Sequence, residues 1–156
     1  MPSQAALSRI FVFTSAGVLM RAWGATGREE GELLAPLDLA VGDGACFVAD
    51  TGNSRVQRFS RRGEFERAFD GGGALFAPHA ICADHRLVAV ADTSGLHVFT
   101  TSGAPLARLS SIAMHPRGGR SEVRGLSIDE RHRVLAADRG LHCLHVCELR
   151  LGCASV

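Results

Sequence analysis

Apolar residues in this chain come in short runs separated by polar turns rich in glycine, aspartate and asparagine. The stretch from 37 to 69 passes through one full cycle of this pattern. Leu37 to Val41, Cys46 to Ala49, Arg55 to Phe59 and Phe65 to Phe69 read as four strands. Between them lie Asp43-Gly44, Asp50-Thr51-Gly52-Asn53 and Arg62-Gly63, residue types that accept left-handed backbone or hydrogen-bond their own turn. A second cycle follows with Ala80 to Ala83, Leu87 to Ala91, Leu96 to Phe99 and Leu106 to Leu109. A third stops after three strands, Leu126 to Ile128, Val134 to Ala137 and Leu144 to Cys147. The N-terminus supplies only a third and fourth strand, Arg9 to Phe13 and Val18 to Trp23. No stretch carries the apolar spacing of an amphipathic helix over a useful length.

The cycles are repeats. Ala49-Asp50-Thr51 returns as Ala91-Asp92-Thr93 and as Ala137-Asp138-Arg139, so the aspartates stand 42 and 46 residues apart. A phenylalanine followed four positions later by glycine recurs as Phe13 and Gly17, Phe59 and Gly63, Phe99 and Gly103. Pro36 and Pro78 are a third landmark. A period of about 40 to 46 is the size of one propeller blade. The expected fold is therefore all-β: a partial propeller of about three and a half four-stranded antiparallel blades. A β-sandwich of similar strand count is the alternative. The units span 9–23, 37–69, 79–109 and 124–147 within one domain. Phe13, Phe59 and Phe99 are expected to fill the space between sheets, and the repeated aspartates to accept backbone N–H bonds across their turns.

Val48-Ala49-Asp50-Thr51-Gly52-Asn53-Ser54-Arg55-Val56-Gln57-Arg58-Phe59, followed by Gly63-Glu64-Phe65, closely resembles the NHL repeat. Pro36 to Val41 fits that repeat's lead-in. The second unit lacks the asparagine and arginine, and in the third Cys147 stands in the aromatic slot. The resemblance implies an NHL-type β-propeller, a family of ring-shaped platforms that bind proteins or RNA. Pro78-His79 also resembles an element of peptidyl-hydroxyglycine amidating lyases, NHL-type enzymes that hold a zinc through histidines from several blades. Only His79 matches; the corresponding positions of the other units hold Leu37 and Arg124 or Gly125, and there is no tyrosine.

Composition changes the picture in a few places. The net charge is +1, so no global field draws the chain to nucleic acid or an anionic membrane. The longest apolar run, Leu87 to Ala91, is far too short to span a bilayer as a helix. Lysine is absent, which excludes Schiff-base chemistry. Five cysteines, an odd number, argue against a disulfide framework and for free thiols in a cytoplasmic setting. The segment from Ile10 to Met20, preceded by Arg9, has the look of a signal peptide, but it aligns with internal repeat segments and is read as strand.

Strand alternation puts the lead-in loops and the turns between second and third strands on one face. That face is the candidate binding site, with Arg55, His79, Arg117 and Arg120 as candidate contact residues. Arg117 and Arg120 lie in the longest insertion, Ser110 to Glu122, and offer guanidinium forks to a carboxylate or phosphate. Arg58, Arg61, Arg62 and Arg67 make a weaker basic patch on the opposite side. Cys143, His145 and Cys147 share one strand face, a poor geometry for closing a metal tetrahedron. No catalytic residue, no metal and no cofactor is expected. The function expected is that of a non-catalytic binding scaffold for a protein partner, with RNA as a lesser candidate; a lyase-like enzyme is the alternative. An arc of this size cannot close alone, so a homodimer or a ring completed by further blades is expected.

Overall fold

In the computed structural model, residues 8–110 and 122–148 are described. They form fifteen strands and one short 3-10 turn, Thr51–Asn53. Two complete four-stranded antiparallel blades occupy the middle of the chain. The first consists of β5 (Asp38–Gly42), β6 (Ala45–Asp50), β7 (Arg55–Ser60) and β8 (Phe65–Phe69), hydrogen-bonded in that order. The second consists of β9 (Ala80–Ala83), β10 (Leu87–Asp92), β11 (Gly95–Thr100) and β12 (Pro105–Ser110). A third, three-stranded sheet contains β13 (Val123–Ile128), β14 (Val134–Asp138) and β15 (Cys143–Cys147). At the other end β1 (Ile10–Phe13) pairs with β2 (Leu19–Trp23). One element has no counterpart in the sequence reading: the short parallel pair β3 (Ala25–Thr26) and β4 (Glu32–Leu33). It is missed because two-residue strands carry no periodicity.

Each seam between blades has its own apolar core. Ile10, Leu33, Cys46, Val48 and Phe59, with Trp23 and Phe65, fill the seam between β1–β2 and the first blade. Phe47, Val56, Ile81, Val88, Val90 and Phe99 fill the next. Leu87, Leu96, Val98, Val123, Val134 and Ala136 fill the last, with Cys147 packed against them. The middle strands β6 and β10 are buried along their whole length, which explains their continuous apolar sequences.

The repeated glycines show how the seams close. Gly63 and Gly103 have φ of +87° and +89°, in hairpins closed by N–H bonds to Ser60 and Thr100. A Cβ at Gly63 would meet the Trp23 ring at 2.5 Å, and one at Gly103 would meet the Phe69 ring at 2.7 Å. An aromatic from the outer strand of the preceding blade thus lies on each hairpin glycine. Gly17 has the same positive φ, +78°, but nothing lies within 4 Å of its Cβ position. Phe13 corrects the sequence reading for the same reason. Phe59 and Phe99 are 1% exposed, whereas Phe13 is 55% exposed. Its slot faces toward a preceding blade, and none is present among the described residues.

Candidate functional site

The face formed by the lead-in loops and second-to-third turns is organised by the repeated aspartates. Each has a side chain that is fully buried or nearly so. Each accepts the backbone N–H of a residue sixteen positions earlier: Leu34 to Asp50 at 2.7 Å, Phe76 to Asp92 at 2.9 Å, Glu122 to Asp138 at 2.9 Å. Each also takes a side chain from its own third strand. Asp50 receives Arg55 Nε at 2.8 Å and Gln57 Nε2 at 2.9 Å; His97 and His145 stand 3.1 and 3.3 Å from Asp92 and Asp138. Asp92 further accepts the backbone N–H groups of Ser94 and Gly95 across its turn. The aspartates are therefore latches that tie each lead-in loop to its blade. A buried carboxylate is tolerated here because its lone pairs are filled.

The four candidate contact residues separate into two groups. Arg55 is turned inward: beyond Asp50, its Nη2 donates to the carbonyls of Glu29 at 2.7 Å and Glu32 at 2.9 Å. His79 places Nε2 at 2.8 Å from the Val123 carbonyl and Nδ1 at 3.4 Å from the Ala77 carbonyl. It spans the seam to the inner strand β13. Arg117 and Arg120 lie outside the described residues. The basic patch is also engaged: Arg58 pairs with Glu66 at 2.7 Å and Asp43 at 3.3 Å, and Arg67 donates to the Ser102 carbonyl at 3.0 Å.

The thiols fall into two environments. Burial pushes the Cys46 thiol up to about 11 and the Cys82 thiol up to about 12. On β15, Cys143 is exposed and its Sγ lies 3.4 Å from His145 Nε2, while Cys147 packs toward the seam. Among the described residues the group able to hold an ion with three donors lies elsewhere, at Asp84, His85 and His132.

The residues of the apolar surface at the N-terminal end of the arc are not among the contact residues expected from the sequence. Phe11, Phe13, Val18, Leu19 and Met20 on β1–β2 are exposed, as are Leu39 and Val41 on β5. Between them lies a cavity of about 370 Å³ bordered by Phe11, Phe13, Trp23, Leu39, Val41 and Cys46. The signal was present in the half-unit at 9–23, which reads as a third and fourth strand only.

This architecture is that of a β-propeller left as an open arc. Virginiamycin B lyase from Staphylococcus aureus superposes with a TM-score of 0.63 over 93% of this chain and 50% of the lyase, at 14% identity. A gluconolactonase from Xanthomonas campestris gives 0.59 over 90% of this chain and 44% of its own, at 19% identity. The WD40 propeller domain of Doa1 gives 0.56 over 83% and 40%, at 7% identity. The chain thus spans about half the length of these solved propellers, which include both enzymes and a WD40 domain. No protein-family model matches the sequence, and no curated protein is significantly similar to it. No helix among the described residues is long and apolar enough to cross a membrane.

Proposed function

We propose that the protein is a non-catalytic, NHL-type propeller scaffold whose exposed N-terminal end docks a protein partner, and that this partner is a second copy of the chain. The observation that carries the reading is the contrast between Gly17 and its two equivalents. Gly63 and Gly103 are each covered by an aromatic from a preceding blade, and Gly17 is bare beside exposed Phe11, Phe13 and Met20. An apolar patch of this kind on a rigid sheet favours association. Two copies supply the length of a whole ring, since one covers half of the lyase propeller. A net charge of +1 sets no strong repulsion between them.

Support for a scaffold over a lyase comes from the loop face. Arg55 and His79 are committed to carbonyls and to Asp50, so they hold blades together instead of facing a substrate. RNA is the weaker partner because two of the four patch arginines, Arg58 and Arg67, are engaged within the chain and the net charge is only +1. Sedimentation of the parent and of Phe13→Glu tests the reading. The parent should sediment as a dimer. Phe13→Glu should keep its circular dichroism and sediment as a monomer. A variant that associates as the parent does would overturn the assigned surface.

A further inference from the structure

We propose that Asp84, His85 and His132 form a zinc-type divalent cation site that clamps the second and third blades together on the face opposite the aspartate latches. The topology brings these groups together from two hairpins. Asp84 and His85 lie in the turn between β9 and β10, and His132 in the turn between β13 and β14. His79 stands before the start of β9 and Asp84 follows its end, so this cluster and His79 lie at opposite ends of one inner strand.

Two of the three ligands are held in place by the backbone. The Oδ1 atom of Asp84 accepts the N–H groups of Arg86 at 2.6 Å and Leu87 at 2.8 Å. That leaves Oδ2 directed at His132, 2.5 Å from its Nδ1. His132 is in left-handed backbone with φ of +59°, fixed by its N–H bond to the Asp129 carbonyl at 2.9 Å. The His85 ring meets the His132 ring edge-on, with centroids 4.9 Å apart. One ligand atom from each residue lies within 4.8 Å of the other two.

Two atoms bound to one zinc ion sit roughly 3.3 Å apart, given metal–ligand distances of about 2.0 to 2.2 Å. The Asp84–His132 pair must therefore open slightly, and exposed His85 must swing inward. Both are side-chain movements at a surface. On binding, the ion takes the place of the hydrogen bond between Asp84 Oδ2 and His132 Nδ1, and the neutral imidazole carries its one N–H on Nε2. Two imidazoles and one carboxylate suit zinc, whereas magnesium and calcium prefer oxygen donors. Three protein ligands leave the fourth position to water. The ion would bridge the seam that Leu87, Val123 and Val134 fill from inside.

The test is calorimetric titration of zinc chloride into tag-free, chelator-treated protein, repeated with His85→Ala and with Cys143→Ser. The parent should bind one zinc per chain. His85→Ala, which removes an exposed side chain, should keep its circular dichroism and lose about tenfold or more in affinity. Cys143→Ser should bind as the parent does, and bound cobalt should show no thiolate charge-transfer absorption. Magnesium and calcium should give no heat of binding. Absence of one-to-one zinc binding in the parent would overturn the proposal. So would binding that His85→Ala leaves intact or that Cys143→Ser removes.

Discussion

At the scale of single residues, the fold depends most on the three buried aspartates. Asp92 shows why. Burial alone would raise its pKa, but hydrogen bonds from His97, Ser94 and the Phe76 N–H outweigh that and hold it well below the usual carboxylate range. A carboxyl group depressed in the folded state contributes stability that is present above its unfolded pKa of about 3.9 and is lost as pH falls through the lower folded value. Stability should therefore fall as the solution is acidified below about pH 4, and Asp92→Asn should flatten that dependence. Asp92→Ala leaves the Phe76, Ser94 and Gly95 N–H groups without their acceptor and should cost at least ~3 kcal/mol by chemical denaturation. Cysteine chemistry gives a second prediction at this scale. Exposed Cys143 should alkylate in the native protein, while Cys46 and Cys82, buried and with raised pKa, should react only after unfolding. Mass spectrometry of the labelled peptides reads this directly; native labelling of Cys46 as fast as Cys143 would contradict the seam packing.

At the scale of elements, the strands and turns were largely legible in the sequence. The physical reason is the period of the repeat: each blade must place the same turn chemistry and the same seam aromatics at the same offset. Asp50, Asp92 and Asp138 could be read as structural because they recur; their sixteen-residue reach to the lead-in loop could not, since it depends on how that loop folds back. His79 and Arg55 looked like contact residues because loop position is visible in sequence and hydrogen-bond partners are not. Asp84, His85 and His132 were hidden by a separation of 48 residues between the bonded pair. Phe13 differs from Phe59 and Phe99 because a repeat position is buried only where a neighbouring blade packs on it, and none does so among the described residues. A matched pair of substitutions tests that explanation. Phe59→Ala should cost about 3 to 5 kcal/mol, as for other buried aromatics. Phe13→Ala should change the stability of the isolated subunit by no more than about 0.5 kcal/mol. Equal denaturation midpoints for the two variants would refute the seam assignment.

At the scale of the whole molecule, the N-terminal end of the described arc differs from the seams inside it. Seams between blades are apolar and closely packed, and the same packing elements stand exposed at the N-terminal end. Among the described residues there are two full blades, a three-stranded sheet and two strand pairs, fewer than the about four to eight blades of a closed propeller, and the proposed second copy adds the rest. Pairing of two arcs would cover the exposed surface of Phe11, Phe13 and Met20 and give Gly17 the cover that Gly63 and Gly103 already have. Small-angle X-ray scattering on protein eluting from a sizing column measures mass and shape together and is the most direct test. A paired arc has twice the chain mass and a radius of gyration of about 20 Å, the value for a compact particle of that size, and this is the expected result. A particle of single-chain mass with a radius of gyration of about 15 Å at micromolar concentration would contradict it.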